Sequence, residues 1–236
     1  MIKENKILVH GGGKEATEIS KRLGIEAKMV DGRRITDAET LRIVTMVYGG
    51  LINKRIVALF NSFGNQAIGL TGADADIIQA KRRPLKNGID FGFVGDVEKV
   101  NQKVIGDFLA MGLTPVIAPL THDGNGYMLN TNADTMASAI AVAMSGSFAV
   151  SLLYCFELKG VLEDFGNKES VIGEINMEKY HDLKEKGIID KGMIPKMDNS
   201  FDAIKSGVGS VTICHADDLI NIVNNKEKRG TRLSLS

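Results

Sequence analysis

Three consecutive glycines, Gly11-Gly12-Gly13, follow the short apolar run Ile7-Leu8-Val9. Ala16, Ile19 and Leu23 then recur at helical spacing. A strand tip that passes through glycine into a helix turns backbone N–H groups toward an anion. No Cβ blocks the approach, and the helix N-terminus carries partial positive charge. One glycine would serve a tight turn, so three favour anion binding. Two rival readings fail on neighbouring residues. A Walker A loop requires G-x-x-x-x-G-K-[ST], whereas Lys14 is followed by Glu15. His10-Gly11-Gly12-Gly13 also fits the oxyanion loop of some α/β-hydrolases, but the chain has no G-x-S-x-G elbow, Gly209-Ser210-Val211 being the nearest approach.

Three further stretches carry chemistry. Arg33-Arg34 follows Asp31-Gly32 in an expected loop, and is either a solvated pair or a planar fork for a substrate carboxylate. Asn130-Thr131-Asn132-Ala133-Asp134 opens a helix. Asn132 or Thr131 serves as its cap, and the segment holds more polar side chains than a cap requires. Gly192-Met193-Ile194-Pro195-Lys196 places proline in a first helical turn. Lys196 then opposes the macrodipole, which makes sense for a lysine that shares an anion with the helix end. A lysine reaching into solvent is the plainer alternative.

Strand-like runs alternate with helical patterns, the signature of a parallel α/β sheet. Thr36-Asp37-Ala38-Glu39 reads as a capping box that opens a helical region to about Phe63, broken or kinked at Gly49-Gly50. Strands are expected at Ala67–Leu70, Thr114–Leu120, Phe148–Phe156 and Ser210–Cys214, with hairpins in residues 75–95 and near Asp164–Asn167. Helices are expected at 100–111, 133–144, 178–186, 195–206 and 217–224. The strand–helix series changes near Gly146, dividing the chain into lobes 1–146 and 147–236.

The 29 basic and 29 acidic side chains cancel, so no global field favours nucleic acid or an anionic membrane. No apolar run approaches the roughly 18 residues of a bilayer span. Nothing at Met1–Lys6 reads as a signal peptide. Cys155 and Cys214 lie far apart in sequence, both in apolar runs, and read as reduced core thiols of a cytoplasmic protein. His10, His122, His181 and His215 lack metal-ligand spacing, so no protein-built metal site is expected. The mixed run Lys226-Glu227-Lys228-Arg229 reads as a solvated end.

Taken in order, Val9–Gly13, Asp31–Thr36, Gly69–Asp74, Met128–Asp134, Gly187–Lys196 and Gly230–Arg232 resemble N-acetylglutamate kinases of the amino-acid kinase superfamily. The match spans Lys6 to about Arg232; the ordered set is specific, whereas no single member is. The resemblance implies a three-layer α/β sandwich around a mainly parallel sheet. It implies transfer of the γ-phosphoryl of ATP to the γ-carboxylate of N-acetyl-L-glutamate or N-succinyl-L-glutamate, an acyl-phosphate-forming step of arginine biosynthesis. Lobe 1–146 would bind the acyl-glutamate and form a homodimer, and lobe 147–236 would bind nucleotide, with Mg²⁺ carried on ATP. Gly12 and Gly13 would hold the acyl-glutamate near the transferring phosphoryl, Arg34 would hold its α-carboxylate, and Asn130 would hydrogen-bond the acyl-amino acid. Lys196 would stabilise the phosphoryl in flight and Asp134 would orient that lysine. Nucleotide contacts would come from Glu157, Leu158, Lys159, Gly160, Val161, Leu162, Ile188, Ile189 and Asp190.

A glutamate side chain, with a pKa of about 4.3, is already ionised at neutral pH and needs no general base. The task is alignment of two anions and neutralisation of developing charge. Two other readings remain open: another amino-acid kinase, such as one acting on carbamate, aspartate or uridylate, and a catalytically impaired binding relative. The family's opening Lys-x-Gly-Gly strand is not found ahead of His10. The resemblance therefore implies slow turnover of the chain as written.

Overall fold

A computed structural model describes residues 2–26, 28–30, 33–85, 88–189, 193–224 and 229–235. The chain folds as two compact units, the first Asn5–Ala137 and the second Ser138–Ser236 together with Met1–Glu4.

The first unit opens with β1 (Leu8–Val9) and α1 (Gly13–Arg22). A short antiparallel hairpin follows, β2 (Met29–Val30) and β3 (Arg33–Arg34). Arg34 is therefore in a strand, not in the expected loop, because its backbone pairs with Met29. Asp31 and Gly32 lie outside the described residues. Next comes a helix that is α over Ala38–Val44 (α2), π over Thr45–Ile52 and α again over Asn53–Ser62 (α3). Its cap is Asp37, whose carboxylate accepts from Thr40 N at 2.8 Å. The expected box on Thr36 is thus displaced by one residue, since the buried Thr36 is committed to pairing with Phe91 and Phe93. Gly49-Gly50 does not end the helix. The backbone instead widens by one residue per turn, which keeps the ladder closed.

Ile43, Val44, Val47, Tyr48 and Ile52 of that helix pack with Ala16, Ala118 and Leu120 in one buried cluster. Within the 25-residue helix Ala38–Ser62 an 18-residue stretch reaches a mean hydropathy of 1.4, which meets the length and composition of a membrane span. Scattered Arg42, Lys54 and Arg55 hide this from a search for uninterrupted apolar runs.

Strand β4 (Ala67–Leu70) pairs in parallel with β7 (Thr114–Ile117), which pairs in parallel with β1 on its other side. β5 (Ile78–Arg82) and β6 (Gly95–Val100) form the expected hairpin, reaching five residues further than the sequence suggests. α4 (Gln102–Ala110) is capped by Asn101. β8 (Leu120–His122) and β9 (Met128–Asn130) form an antiparallel pair. The single expected strand over 114–120 is therefore two, divided at Ala118-Pro119, where the chain leaves one sheet and joins the other. α5 (Ala133–Ser145) spans the division between units.

The second unit is a four-stranded sheet in the order β10 (Ser151–Phe156), β12 (Ser210–His215), β13 (Thr231–Leu233), β11 (Glu174–Ile175). The pairs β10–β12 and β11–β13 are parallel and β12–β13 antiparallel. α6 (Met177–Glu185), α7 (Ile194–Lys205) and the short α8 (Leu219–Val223) accompany it. β13 is three residues long, too short for periodicity to show, yet Thr231 and Leu233 are core. Lys226–Lys228 lie outside the described residues. Arg229 is not a solvated end: its Nη1 donates to Asp218 Oδ1 at 2.6 Å.

Candidate functional site

The glycine run forms the N-terminus of α1, with Gly12 as cap and no side chain closing it. The first amides of a helix have no intrahelical acceptor, so they face outward for an anion. Gly12 is required by packing as well. A Cβ there would lie 2.6 Å from Ile52 Cδ1 and 2.7 Å from Tyr48 Cδ1. The π segment supplies both side chains, so its geometry and the glycine fit each other.

His10, just before the loop, is buried. Its Nδ1 donates to the Gly11 carbonyl at 2.7 Å, and its Nε2 accepts from Asn53 Nδ2 at 3.3 Å. Asn53 Nδ2 also donates to the Val116 carbonyl at 2.9 Å, which fixes it as donor. Burial lowers the imidazole pKa, the Gly11 hydrogen bond opposing weakly. His10 is thus a neutral brace of the loop.

Arg34 is buried. Its Nη2 donates to Gly13 O at 3.1 Å and to Thr17 Oγ1 at 2.8 Å. Thr17 Oγ1 in turn donates to Gly13 O at 2.8 Å. Nη1 is buried with no hydrogen-bond partner. Among the described residues no carboxylate pairs with this guanidinium. A buried cation without a counter-charge is costly, and a ligand carboxylate would remove that cost. Tyr48 lies beside it. Burial raises the phenol pKa, and the charge of Arg34 together with a hydrogen bond from its side chain works against that rise.

Asn130 comes to the same region through Thr36. Thr36 is two residues beyond Arg34, and Asn130 Nδ2 donates to its Oγ1 at 3.0 Å. The Asn130 backbone is held by Phe93 O at 2.8 Å. Gly12, Gly13, Arg34 and Asn130 therefore belong to one framework in the first unit. Asn132 is the cap of α5, accepting from Thr135 N at 2.9 Å. Asp134 is in the first turn of that helix.

The remaining expected residues lie in the second unit. Lys196 sits in the first turn of α7, its ammonium 3.4 Å from the Phe156 ring centroid and 5.6 Å from that of Tyr154. Glu157 to Leu162 leave the end of β10. Gly160, Val161 and Leu162 are buried, and Val161 N donates to Thr231 Oγ1 at 2.8 Å. Ile189 is also core. Ligand contact from Val161, Leu162 or Ile189 would thus come from backbone. Lys159 pairs with Glu169 at 2.6 Å on the surface. Asp190 lies outside the described residues.

Cys155 departs from its expected burial. It is exposed on edge strand β10, while Cys214, its register partner on the same face of the inner strand β12, is buried. A hydrogen bond from Cys214 lowers the Cys155 pKa to about 7, and raises that of Cys214.

Sequence reasoning missed Tyr48, Thr17 and Thr36. Thr17 was within reach of inspection, as it stands one helical turn beyond Gly13. Among the described residues, no group of three or more His, Cys, Asp or Glu side chains converges as for a metal.

The profile of the amino acid kinase family matches residues 2–215. An acetylglutamate kinase of Cytophaga hutchinsonii is 67% identical over 232 residues, covering 98% of this chain and 88% of that protein. One from Bacteroides thetaiotaomicron is 54% identical over the same shares. Among solved structures, smu.665 from Streptococcus mutans superposes with a TM-score of 0.80 at 27% identity, covering 98% of this chain and 86% of that one.

Proposed function

This chain belongs to the amino acid kinase family and is a kinase, and we propose that it phosphorylates the γ-carboxylate of N-acetyl-L-glutamate with ATP. The expectations of fold class and of family are both met. The observation that carries the substrate is Arg34, a buried guanidinium with Nη1 unpaired beside a glycine-capped helix N-terminus. An acyl-glutamate offers a carboxylate for that fork, an amide for Asn130 and a second carboxylate for the glycine amides.

In this reading Gly12 and Gly13 amides bind the reacting end of the acyl-glutamate, and Arg34 holds the α-carboxylate. Asn130 is braced on Thr36 and has an amide N–H and a carbonyl to offer the substrate amide. Lys196 neutralises charge on the phosphoryl in flight. Glu157 to Leu162, Ile188, Ile189 and Asp190 form the nucleotide seat. The γ-carboxylate attacks phosphorus directly, and no proton need be removed first. Mg²⁺ would be carried on the nucleotide and would offset the charge of its phosphates. Lobe 1–146 serves the acyl-glutamate and lobe 147–236 the nucleotide.

The proposal extends to a cytoplasmic homodimer. Met46, Leu51, Leu59 and Phe63 on and just past Ala38–Ser62 are exposed, as is Met111. Such a face suits a second copy of the chain. Calorimetric titration tests the substrate reading. N-acetyl-L-glutamate and N-succinyl-L-glutamate are expected to bind, and N-acetyl-L-glutamate α-amide to bind at least tenfold more weakly. Equal affinity for the α-amide would refute the role of Arg34.

A further inference from the structure

Phe156 and Tyr154 stand two apart on β10 and so share a face of the sheet, their ring centroids 6.5 Å apart. The Lys196 ammonium lies against that face, 3.4 Å from the Phe156 centroid. The backbone of Lys196 is fixed independently of the rings. Met197, Ser200 and Phe201 of α7 are core, and Tyr180 of α6 donates to Asp198 Oδ1 at 2.7 Å. Ser200 Oγ donates to Lys196 O at 2.7 Å. With helix and strand both anchored, the side chain's remaining freedom is in its rotamers, and the aromatic face is one of the contacts that favour this one.

The choice of an aromatic is informative. A cation in the first turn of a helix is opposed by the macrodipole. The negative face of a ring offsets that penalty while leaving the ammonium charged. A ring can also surrender the ammonium without a large desolvation cost. Phe156 adjoins Glu157, the first residue of the proposed nucleotide segment.

We propose that Phe156 is a positioning residue, seating the Lys196 ammonium charged and preorganised for phosphoryl transfer. This rests on the reading of Lys196 as the phosphoryl-stabilising cation. A phenylalanine present only as packing would be indifferent to the charge on its face.

The test replaces Phe156 by 4-fluoro-, 3,5-difluoro- and 3,4,5-trifluorophenylalanine, near-isosteric rings with progressively less negative faces. Phe156→Leu, Phe156→Tyr and Lys196→Met accompany them. Acyl phosphate is trapped as hydroxamate, which accumulates and so reads slow turnover. The expected kcat falls stepwise with fluorine number and reaches about three- to thirty-fold below the unsubstituted chain in Phe156→Leu. KM for N-acetyl-L-glutamate and the thermal midpoint stay level across the fluorinated series, and Phe156→Tyr retains kcat. A flat fluorine series beside a slow Lys196→Met overturns the seat and leaves the lysine's role standing. Full turnover in Lys196→Met, or no hydroxamate from the unsubstituted chain, overturns the underlying reading and the seat with it.

Discussion

Arg34 Nη2 donates to the carbonyl of Gly13 at 3.1 Å, joining strand β3 to the first residue of helix α1. Nη2 thereby builds the glycine loop, and Nη1, buried without a hydrogen-bond partner, is left for the substrate carboxylate of the proposed site. Arg34→Lys should therefore raise KM for N-acetyl-L-glutamate, because a point charge cannot serve both sides. The expected loss is about 1.5–3 kcal/mol, the range for charged hydrogen bonds. KM for ATP should change little. Steady-state kinetics with each substrate varied in turn make the check, and an unchanged acyl-glutamate KM would remove Arg34 from the site.

Gly12→Ala should destabilise the first unit by about 1–3 kcal/mol, as overpacking of a well-filled site does. The new methyl would press on Tyr48 and Ile52, the closest approach being 2.6 Å. Pairing it with Ile52→Val should recover part of the loss, since less side chain then stands in the way. Urea melts of the three variants measure this. No recovery in the double variant would mean that the strain lies in the loop backbone.

Burial holds the His10 imidazole below its usual pKa of about 6.5. The unfolded chain then binds a proton more readily than the native one. Unfolding free energy must fall as pH drops below about 6.5, toward the lowered native value, and the contribution is fully present above that point. His10→Asn should flatten this part of the stability curve. Urea midpoints between about pH 7.5 and 5.5 test the sign; an identical slope in variant and native chain would mean that the ring titrates normally.

Cys155, with its pKa drawn to about 7 by a hydrogen bond from Cys214, should alkylate first. Iodoacetamide reacts with thiolate, so its rate should rise through about pH 7 and level above it. Buried Cys214, with its pKa raised, should be spared in the folded chain. Peptide mapping after brief labelling shows which thiol reacts. Cys214→Ser should move the midpoint for Cys155, because the donor has changed.

Much of this architecture was legible in residue order. The glycine run, the long helix, the small-residue helix and the strand over Ser210–His215 appear where periodicity places them. What escaped had physical reasons. The π segment is invisible to a test built on 3.6 residues per turn, and with it went Tyr48, whose ring stands against Gly12 from within that segment. Two-residue strands such as Arg33–Arg34 have no period to detect. The exposure of Cys155 depends on which strand ends at a sheet edge, a matter of topology that its apolar neighbours do not encode. Thr36 reads as a cap because it precedes a helix, and its pairing with the distant Phe91 and Phe93 is beyond local reading.

The central claim is phosphoryl transfer to an acyl-glutamate side chain. The chain is incubated with ATP, Mg²⁺ and hydroxylamine, and hydroxamate is quantified with N-acetyl-L-glutamate, N-succinyl-L-glutamate, L-aspartate or carbamate as acceptor. The account predicts ATP-dependent hydroxamate with an N-acyl-glutamate and none with aspartate, and no ADP release driven by carbamate. Product from aspartate or turnover of carbamate, with neither N-acyl-glutamate accepted, would contradict it.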